Sequence, residues 1–401
     1  MFEPHLNERP SRVDWPIILA VIGLALLSVA FICSAKSPGD TTSWQNQFYA
    51  RQIVWFLAGT VAAVGVCFID YHSLSRWAML GYWLTILLLV GVLIPGIGST
   101  HGWGARRWID LGPFQFQPAE FAKLSFIFLL AHFLSRPPEE LKQPSVFLKA
   151  LGFTALPFLL ILKEPDLGSA LVLLPVGLIM AFIAGVPRRF LTRLLGGVGM
   201  VVVVLLVDIL FLPAKWQPVK LEGYQRDRLL VYFGRDFAAG KTDPEEIRTA
   251  RIRQRDVEWN VRQALISVGS GGFWGKGWRQ GQQIALGYLP PVVAHNDFIF
   301  SVIAEEKGFL GSVMVLYLYT VVLFSGIRIA YQARDRLGKL LAAGVVALLF
   351  THVFVNIGMN IRLVPVTGIP LPLLSYGGSS VVCSLIALGI LQNVYIHRKD
   401  Y

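Results

Sequence analysis

Apolar runs of about 20 residues recur along almost the whole of this chain, and they limit its possible folds more than any other feature. A run of that length spans the hydrocarbon core of a bilayer as an α-helix and is about twice as long as a barrel strand requires. A helix also satisfies its own backbone hydrogen bonds inside the bilayer. Only 15% of the 401 residues are charged, against about 25% in soluble domains. The sequence therefore predicts an all-α polytopic membrane protein.

Hydropathy predicts about ten membrane-spanning helices. The predicted spans cover residues 16–35, 53–69, 77–94, 118–134, 148–162, 166–185, 190–212, 298–327, 340–360 and 373–396. An even number of spans leaves both termini on one side of the membrane. The span at 298–327 is too long for a straight crossing. Either residues 308–329 cross the bilayer and Asp297 lies above the membrane core, or the helix starts at Phe298 and residues 305–307 line a buried cavity.

Basic residues are concentrated in the short loops on the side of the termini, with Arg188, Arg189 and Arg193 as one example. The positive-inside rule therefore places both termini in the cytoplasm. The loop 213–296 is then extracytoplasmic and is too long to count under that rule. We predict one transmembrane domain over residues 1–401 that contains this large loop.

The net charge of +11 need not indicate nucleic acid in such a protein. Cytoplasmic arginines and contact with anionic membrane lipid account for it, and we expect no nucleic-acid partner. The three cysteines all fall inside predicted spans and are expected to pack rather than to bind metal or form disulfides. No spacing of ligand residues predicts a metal site.

The glycine-rich segment 269–277 lacks the spacing of a nucleotide-binding P-loop, which excludes that function. Its backbone amides, together with Lys276 and Arg279, could instead cradle an anionic headgroup. Upstream, Asp243 followed by Pro244 predicts the start of a charged helix over about 25 residues.

Ionisable residues at the mouth of a membrane helix are costly and therefore functional candidates. Asp297 lies where the eighth span begins. Glu120 and Lys123 are three residues apart at the start of the fourth span, where they share a helix face, with Arg106 just before them. Their pairing towards the bundle competes with simple anchoring of the basic side chains at the interface.

Two further segments could contribute to the same site. The acidic turn 163–166 either caps the next helix or faces a cavity. The segment 356–380 contains prolines and small residues, among them Ser375, Gly377 and Gly378. It predicts either broken helix lining a cavity or close helix packing.

These residues suit a substrate linked to a lipid diphosphate. Cations would stabilise the leaving diphosphate and a carboxylate would deprotonate an attacking hydroxyl. Residue chemistry alone leaves a lipid transporter or flippase almost equally favoured.

Six motifs in order resemble the SEDS family of bacterial shape, elongation, division and sporulation proteins over nearly the whole chain. They are GARRWIDLG, QPAEFAKL, EPDLGSALV, ISVGSGGFWGKG, HNDFIFSVIAEEKGFLG and PVTGIPLPLLSYGGSS. KEPDLGSALV and NIGMNIRLVPVTGIPLP look more like the RodA branch than the FtsW branch.

The resemblance implies a ten-span peptidoglycan glycosyltransferase in the bacterial cytoplasmic membrane that polymerises lipid II for cell elongation and rod shape. It also implies a class B penicillin-binding protein, a transpeptidase, as partner within a larger elongation complex. A divalent cation, Mg²⁺ or Mn²⁺, bridging the diphosphate is compatible with this chemistry. Asn296 and Arg362 depart from the usual family residues.

By the same resemblance, Asp297 is expected to be the general base. Arg106 and Lys123 are expected to hold the donor diphosphate, with Glu120 orienting Lys123. Lys276, Ser375, Gly377 and Gly378 are further expected substrate contacts. A lipid II flippase, and a non-catalytic scaffold for a transpeptidase, are the alternative functions.

Overall fold

The computed structural model of the chain describes residues 13–35, 47–99, 106–110, 112, 115–211, 223–238, 243–289 and 291–399. Its first nine helices are α1 (Trp15–Ser34), α2 (Phe48–Phe68), α3 (Tyr71–Arg76), α4 (Ala78–Leu93), α5 (Pro118–Leu134), α6 (Pro138–Leu141), α7 (Pro144–Lys163), α8 (Leu167–Ala184) and α9 (Arg188–Phe211). Those that follow are α10 (Gly223–Tyr232), α11 (Pro244–Ser270), α12 (Gln282–Ala285), α13 (Pro291–Ala294), α14 (Ile299–Gln332), α15 (Arg336–Asn360) and α16 (Gly378–Ile396).

A helix occupies each predicted span, and the all-α polytopic fold is confirmed. Within the described ranges, eight helices are long and apolar enough to cross a membrane. The remaining two predicted spans correspond to α4, which is apolar but has only 16 residues, and α5, which has 17 residues and contains Glu120 and Lys123. The bundle surrounds α15 and α16, which are largely buried, whereas α9 exposes most of its apolar side chains, as expected of a helix facing lipid.

A small antiparallel sheet, which the sequence does not predict, lies between α4 and α5. Its strands are β1 (Gly98–Ser99), β2 (Trp108–Asp110) and β3 (Gln115–Phe116), in that order. Gly98 makes the turn out of α4 possible, because a Cβ there would lie 2.1 Å from the carbonyl oxygen of Val92. The sheet holds Arg106 and Arg107 just before β2.

Helices α1 and α14 are joined at both ends of the bundle. At the end where α1 begins and α16 ends, Arg328 binds Asp14, which is also the N-cap of α1. At the opposite end, called the loop end here, the hydroxyl of Ser34 donates to the carboxylate of Glu306. The loop end carries the sheet, α10 to α13 and Asp297.

Helix α14 is interrupted at Gly308, whose φ of 63° and ψ of −155° only glycine adopts readily. The glycine-rich loop enters this break. Lys276 and Gly277 donate their backbone amides to the carbonyl oxygens of Glu305 and Glu306 at 3.0 Å each, and Phe309 donates back to Gly272 at 2.8 Å. We call residues 271–283 and 304–310 the glycine clasp.

Helix α11 confirms the predicted helix start, since the Asp243 side chain caps it by accepting from the amide of Glu245 at 3.1 Å. Its C-terminal half is buried through Gln263, Ala264 and Ser267. Together with α10, it covers the loop end of the bundle.

Candidate functional site

Asp297 is held in place through the backbone of the three-residue segment that contains it. The carbonyl oxygen of His295 accepts from the amide of Tyr376 at 2.9 Å, and that of Asn296 accepts from the hydroxyl of Ser375 at 2.6 Å. All the partners come from the segment between α15 and α16 or from the end of α15. Because consecutive carbonyl groups are bound, the backbone conformation at Asp297 is fixed, and with it the point from which the side chain projects.

The carbonyl oxygen of Asp297 itself accepts from two amide side chains on α15. Asn356 donates to it at 3.0 Å and Asn360 at 3.1 Å. Both asparagines are fully buried, so their polar groups depend on these partners. The sequence placed Asn356 and Asn360 in a candidate cavity segment, and their role in the structure is to support the Asp297 backbone.

Asp297 is half-buried, and the charges of two arginines act on its carboxyl. Burial raises the pKa of its carboxyl to about 6, the positive charges of Arg228 and Arg107 act in the opposite direction, and Asp166 adds to the rise. A carboxylate whose pKa lies near the working pH is suited to act as a general base, because it is both ionised and basic. Arg228 comes from α10 and also donates to the carbonyl oxygen of Val366 at 3.3 Å.

Arg107, rather than Arg106, is the arginine of this motif that faces the site. Its Nε donates to the carbonyl oxygen of Glu164 at 3.2 Å, and its Nη2 donates to that of Pro165. Arg106 is exposed just before β2. Its expected role in holding the donor stays a prediction, and Arg107 is a second candidate for that role.

The turn between α7 and α8 contributes two acids to the site. The Asp166 side chain caps α8 by accepting from the amide of Ser169 at 3.0 Å and accepts from Gln117 at 3.4 Å. Glu164 is fully buried and neither carboxyl oxygen has a hydrogen-bond partner among the described residues. Burial, with the negative charge of Asp166, raises the pKa of Glu164 to about 9 against the influence of Arg107. Glu164 is therefore neutral near pH 7, which leaves the charge of Arg107 available.

Lys123 and Glu120 form the predicted ion pair facing the bundle, with Nζ 2.7 Å from Oε1. Both residues are buried, and Lys123 is only 1% exposed. In this conformation the ammonium group lies inside the protein. Direct binding of the donor by Lys123 stays a prediction, and its partner His352 is considered below.

The other expected substrate contacts have structural partners. Lys276 pairs with Glu305 inside the glycine clasp, with Nζ 2.7 Å from Oε1. The buried hydroxyl of Ser375 accepts from the amide of Leu371 at 2.8 Å, besides donating to Asn296. Gly378 allows α16 to approach α2, since a Cβ would lie 2.8 Å from the ring of Trp55, and the amide of Gly377 donates to Gln52 at 3.4 Å.

No group of three or more His, Cys, Asp or Glu side chains in the described parts of the chain is arranged to hold a metal ion. Aromatic rings lie beside the site instead. Phe48 stacks on His295 with ring centroids 4.4 Å apart, and Tyr376 packs edge-on against Phe48 at 4.9 Å. Phe48 remains 46% exposed.

Replacing Arg228 with glutamine is expected to move the acid limb of the pH–activity profile to higher pH. In its expected role as general base, Asp297 must lose its proton, so we expect activity to fall as the pH drops through its pKa, which is about 6. Arg228 is the cation that lowers this pKa most, so its removal should raise the pKa of Asp297 further. The measurement is the initial polymerisation rate between about pH 5 and 8.

The matched control is Arg248→Gln, which removes the same charge from an exposed site on α11. The acid limb of this variant should coincide with that of the parent. Identical acid limbs for Arg228→Gln and the parent would contradict the proposed coupling between Arg228 and Asp297.

Arg107, Arg228 and His352 are not among the site residues predicted from the sequence. Arg107 directly follows Arg106 in the same motif, and nothing in the motif itself distinguishes the two. Arg228 is one of many arginines in a long loop, without any local signal that it folds back over Asp297. His352 lies on α15, where a single histidine in an apolar run is usually a packing residue.

Comparison with known proteins agrees with this architecture. The FtsW/RodA/SpoVE family, described as cell cycle protein, matches residues 14–400. The chain is 35% identical to "Probable peptidoglycan glycosyltransferase FtsW" of Trichlorobacter lovleyi, over 96% of this chain and 94% of that protein. It is 34% identical to "Peptidoglycan glycosyltransferase MrdB" of Escherichia coli, over 97% and 95%.

A solved structure described as "Structural coordination of polymerization and crosslinking by a peptidoglycan synthase complex" is also similar. It has a TM-score of 0.72 and 29% identity, and the similarity covers 97% of this chain and 99% of that one. FtsW-type and MrdB-type relatives are nearly equally similar, so identity does not separate the division and elongation branches. With the family match extending over almost its full length, the chain belongs to the FtsW/RodA/SpoVE family, the SEDS family that its motifs resemble.

Proposed function

We propose that this protein polymerises lipid II with Asp297 as general base, at the outer face of the membrane, and that it serves cell elongation. The chain is a multi-pass protein of the bacterial inner membrane and a peptidoglycan glycosyltransferase, the activity named for its relatives. The base, the lipid II substrate, the extracytoplasmic position of loop 213–296 and the elongation branch are proposals.

A single observation carries the proposal: the positive charges of Arg228 and Arg107 both act on the Asp297 carboxyl, which lies on a segment whose backbone carbonyls are all bound. In the reaction, Asp297 takes the proton from the acceptor sugar hydroxyl. The hydroxyl oxygen then forms a bond to the anomeric carbon of the donor, and the bond from that carbon to the phosphate oxygen breaks with inversion. The electron pair leaves with the polyprenyl diphosphate.

Arg107 and Arg228 are placed to stabilise the charge that develops on the diphosphate. The Nε and Nη2 groups of Arg107 are directed at the α7–α8 turn, which sets the orientation of the guanidinium plane. The Nη1 side of the guanidinium, which these two bonds do not use, suits phosphate oxygens. We propose that Glu120 and Lys123 shape the site from within the bundle, and that Lys276 holds the clasp.

Replacing Arg107 with glutamine is expected to lower the polymerisation rate about 100- to 1,000-fold, the range seen when one donor to a developing negative charge is removed. The neighbouring Arg106→Gln variant is the matched control, because it removes the same charge one residue away from an exposed position. Steady-state rates on purified lipid II distinguish the two variants. The reverse order of effects would return the role to Arg106.

The function itself is tested with purified protein and lipid II in vesicles, alone and with a class B penicillin-binding protein. Glycan polymer detected by gel electrophoresis supports the glycosyltransferase. Transbilayer movement of lipid II without polymer would instead support the flippase. No polymer and no movement, with the transpeptidase still recruited, would support the scaffold.

Rescue of rod shape in cells depleted of their own elongation polymerase tests the elongation branch. Rescue of septation alone would assign the chain to division. We further propose a class B penicillin-binding protein as partner, since the similar solved structure concerns coordinated polymerisation and crosslinking.

A further inference from the structure

A buried histidine connects the intramembrane ion pair to the segment around Asp297. His352, on α15, is only 4% exposed. Its Nε2 lies 3.1 Å from the Nζ of Lys123, which is also bound to Glu120 at 2.7 Å. The three side chains line a small cavity together with Pro372 and Cys383.

The contact with Lys123 determines the tautomer of His352. An ammonium group can only donate, so Nε2 must be the acceptor and the imidazole must be neutral with its proton on Nδ1. His352 also forms a hydrogen bond with the backbone of Pro370. Since the backbone of proline has no N–H, its carbonyl oxygen accepts, and Nδ1 is the donor.

Pro370 lies in the segment that supports Asp297. The carbonyl oxygen of the preceding Ile369 accepts from the side chain of Asn356 at 2.7 Å, and the same amide nitrogen donates to the carbonyl oxygen of Asp297 at 3.0 Å. Hydrogen bonds therefore connect Lys123 to His352 and His352 to Pro370, the covalent backbone continues to Ile369, and the side chain of Asn356 connects Ile369 to Asp297.

We propose that His352 is a positioning residue that transmits the location of the Glu120–Lys123 pair to the Asp297 segment. This rests on the proposed role of Asp297. A buried ion pair is poor evidence for stability, because desolvation of both charges offsets their attraction. A charged lysine inside a bundle is costly, and transmitting position to the catalytic segment gives it a function.

The experiment compares His352→Gln with His352→Met. Glutamine can accept from Lys123 through its carbonyl oxygen and donate to Pro370 through its amide, whereas methionine has similar length and volume but offers neither bond. His352→Leu is a second apolar variant. His132→Leu is the control, because it removes an exposed histidine from α5.

We expect the methionine variant to lose about 10- to 100-fold in kcat, the cost of a small displacement of a reacting group. Its KM and its melting temperature should remain close to those of the parent, and the glutamine variant should recover most of the kcat. The readouts are steady-state polymerisation of lipid II and thermal unfolding in detergent, with Asp297→Asn assayed in parallel.

Parent-like kcat in both apolar variants, with Asp297→Asn inactive, would overturn the positioning role while leaving the proposed function intact. Equal losses in the glutamine and methionine variants would also overturn it. So would failure of both apolar variants to fold while the glutamine variant folds, because that pattern indicates a structural role only. Parent-like activity of Asp297→Asn would instead refute the proposed function.

Discussion

Replacing Asp297 with asparagine is expected to lower the rate of lipid II polymerisation about 100- to 10,000-fold, the usual contribution of a positioned general base. Asparagine has nearly the same shape and cannot accept a proton at its amide nitrogen. The backbone carbonyl of residue 297 would still accept from Asn356 and Asn360. The segment should therefore keep its conformation, and the loss should appear in kcat rather than in the melting temperature.

The control for this variant is Asp256→Asn, which removes a carboxylate from an exposed position on α11. Its rate should equal that of the parent. Because asparagine removes the titrating group, any residual activity of Asp297→Asn should lack the acid limb near pH 6. A parent-like rate with the acid limb retained would show that another group is the base.

Replacing Gly275 with alanine is expected to destabilise the protein by about 2–6 kcal/mol, as the combined cost of an unfavourable backbone conformation and overpacking. Its φ is +83°, and an added Cβ would lie 2.2 Å from the carbonyl oxygen of Glu306. That carbonyl accepts the amide of Gly277 at 3.0 Å, so the clasp cannot move aside without losing this bond. Since the clasp holds the first part of α14, activity should fall with stability.

Two nearby glycines provide matched controls for the clasp. Gly272 also has a positive φ, +58°, but nothing lies within 4 Å of the position of an added Cβ. Its alanine variant should be destabilised only by the unfavourable backbone conformation, by about 1–3 kcal/mol. Gly269, inside α11 with open space, should tolerate alanine. In thermal unfolding in detergent, the loss of melting temperature should be largest for Gly275→Ala, smaller for Gly272→Ala and smallest for Gly269→Ala. Equal melting temperatures for all three variants would contradict the proposed role of the clasp.

The order of helices was predictable because it depends on local sequence. Apolar length indicates a spanning helix whatever surrounds it, so all ten predicted spans contain a helix. The ion pair of Glu120 and Lys123 was predictable as well, because their separation of three residues places them on one helix face. Asp297 was identified as a candidate because a carboxylate at the mouth of an apolar run is costly wherever the rest of the chain lies.

The tertiary structure decided which side chains meet Asp297, because those contacts join residues that are far apart in the chain. Arg228 reaches the site from α10 and Arg107 from the sheet beside α5, whereas the sequence favoured Arg106. Lys276 and Ser375 turned out to bind neighbouring parts of the protein. Local periodicity determines helices and their faces, but the partners across a bundle depend on how the helices pack and on where long loops fold back, and neither is encoded within a short window.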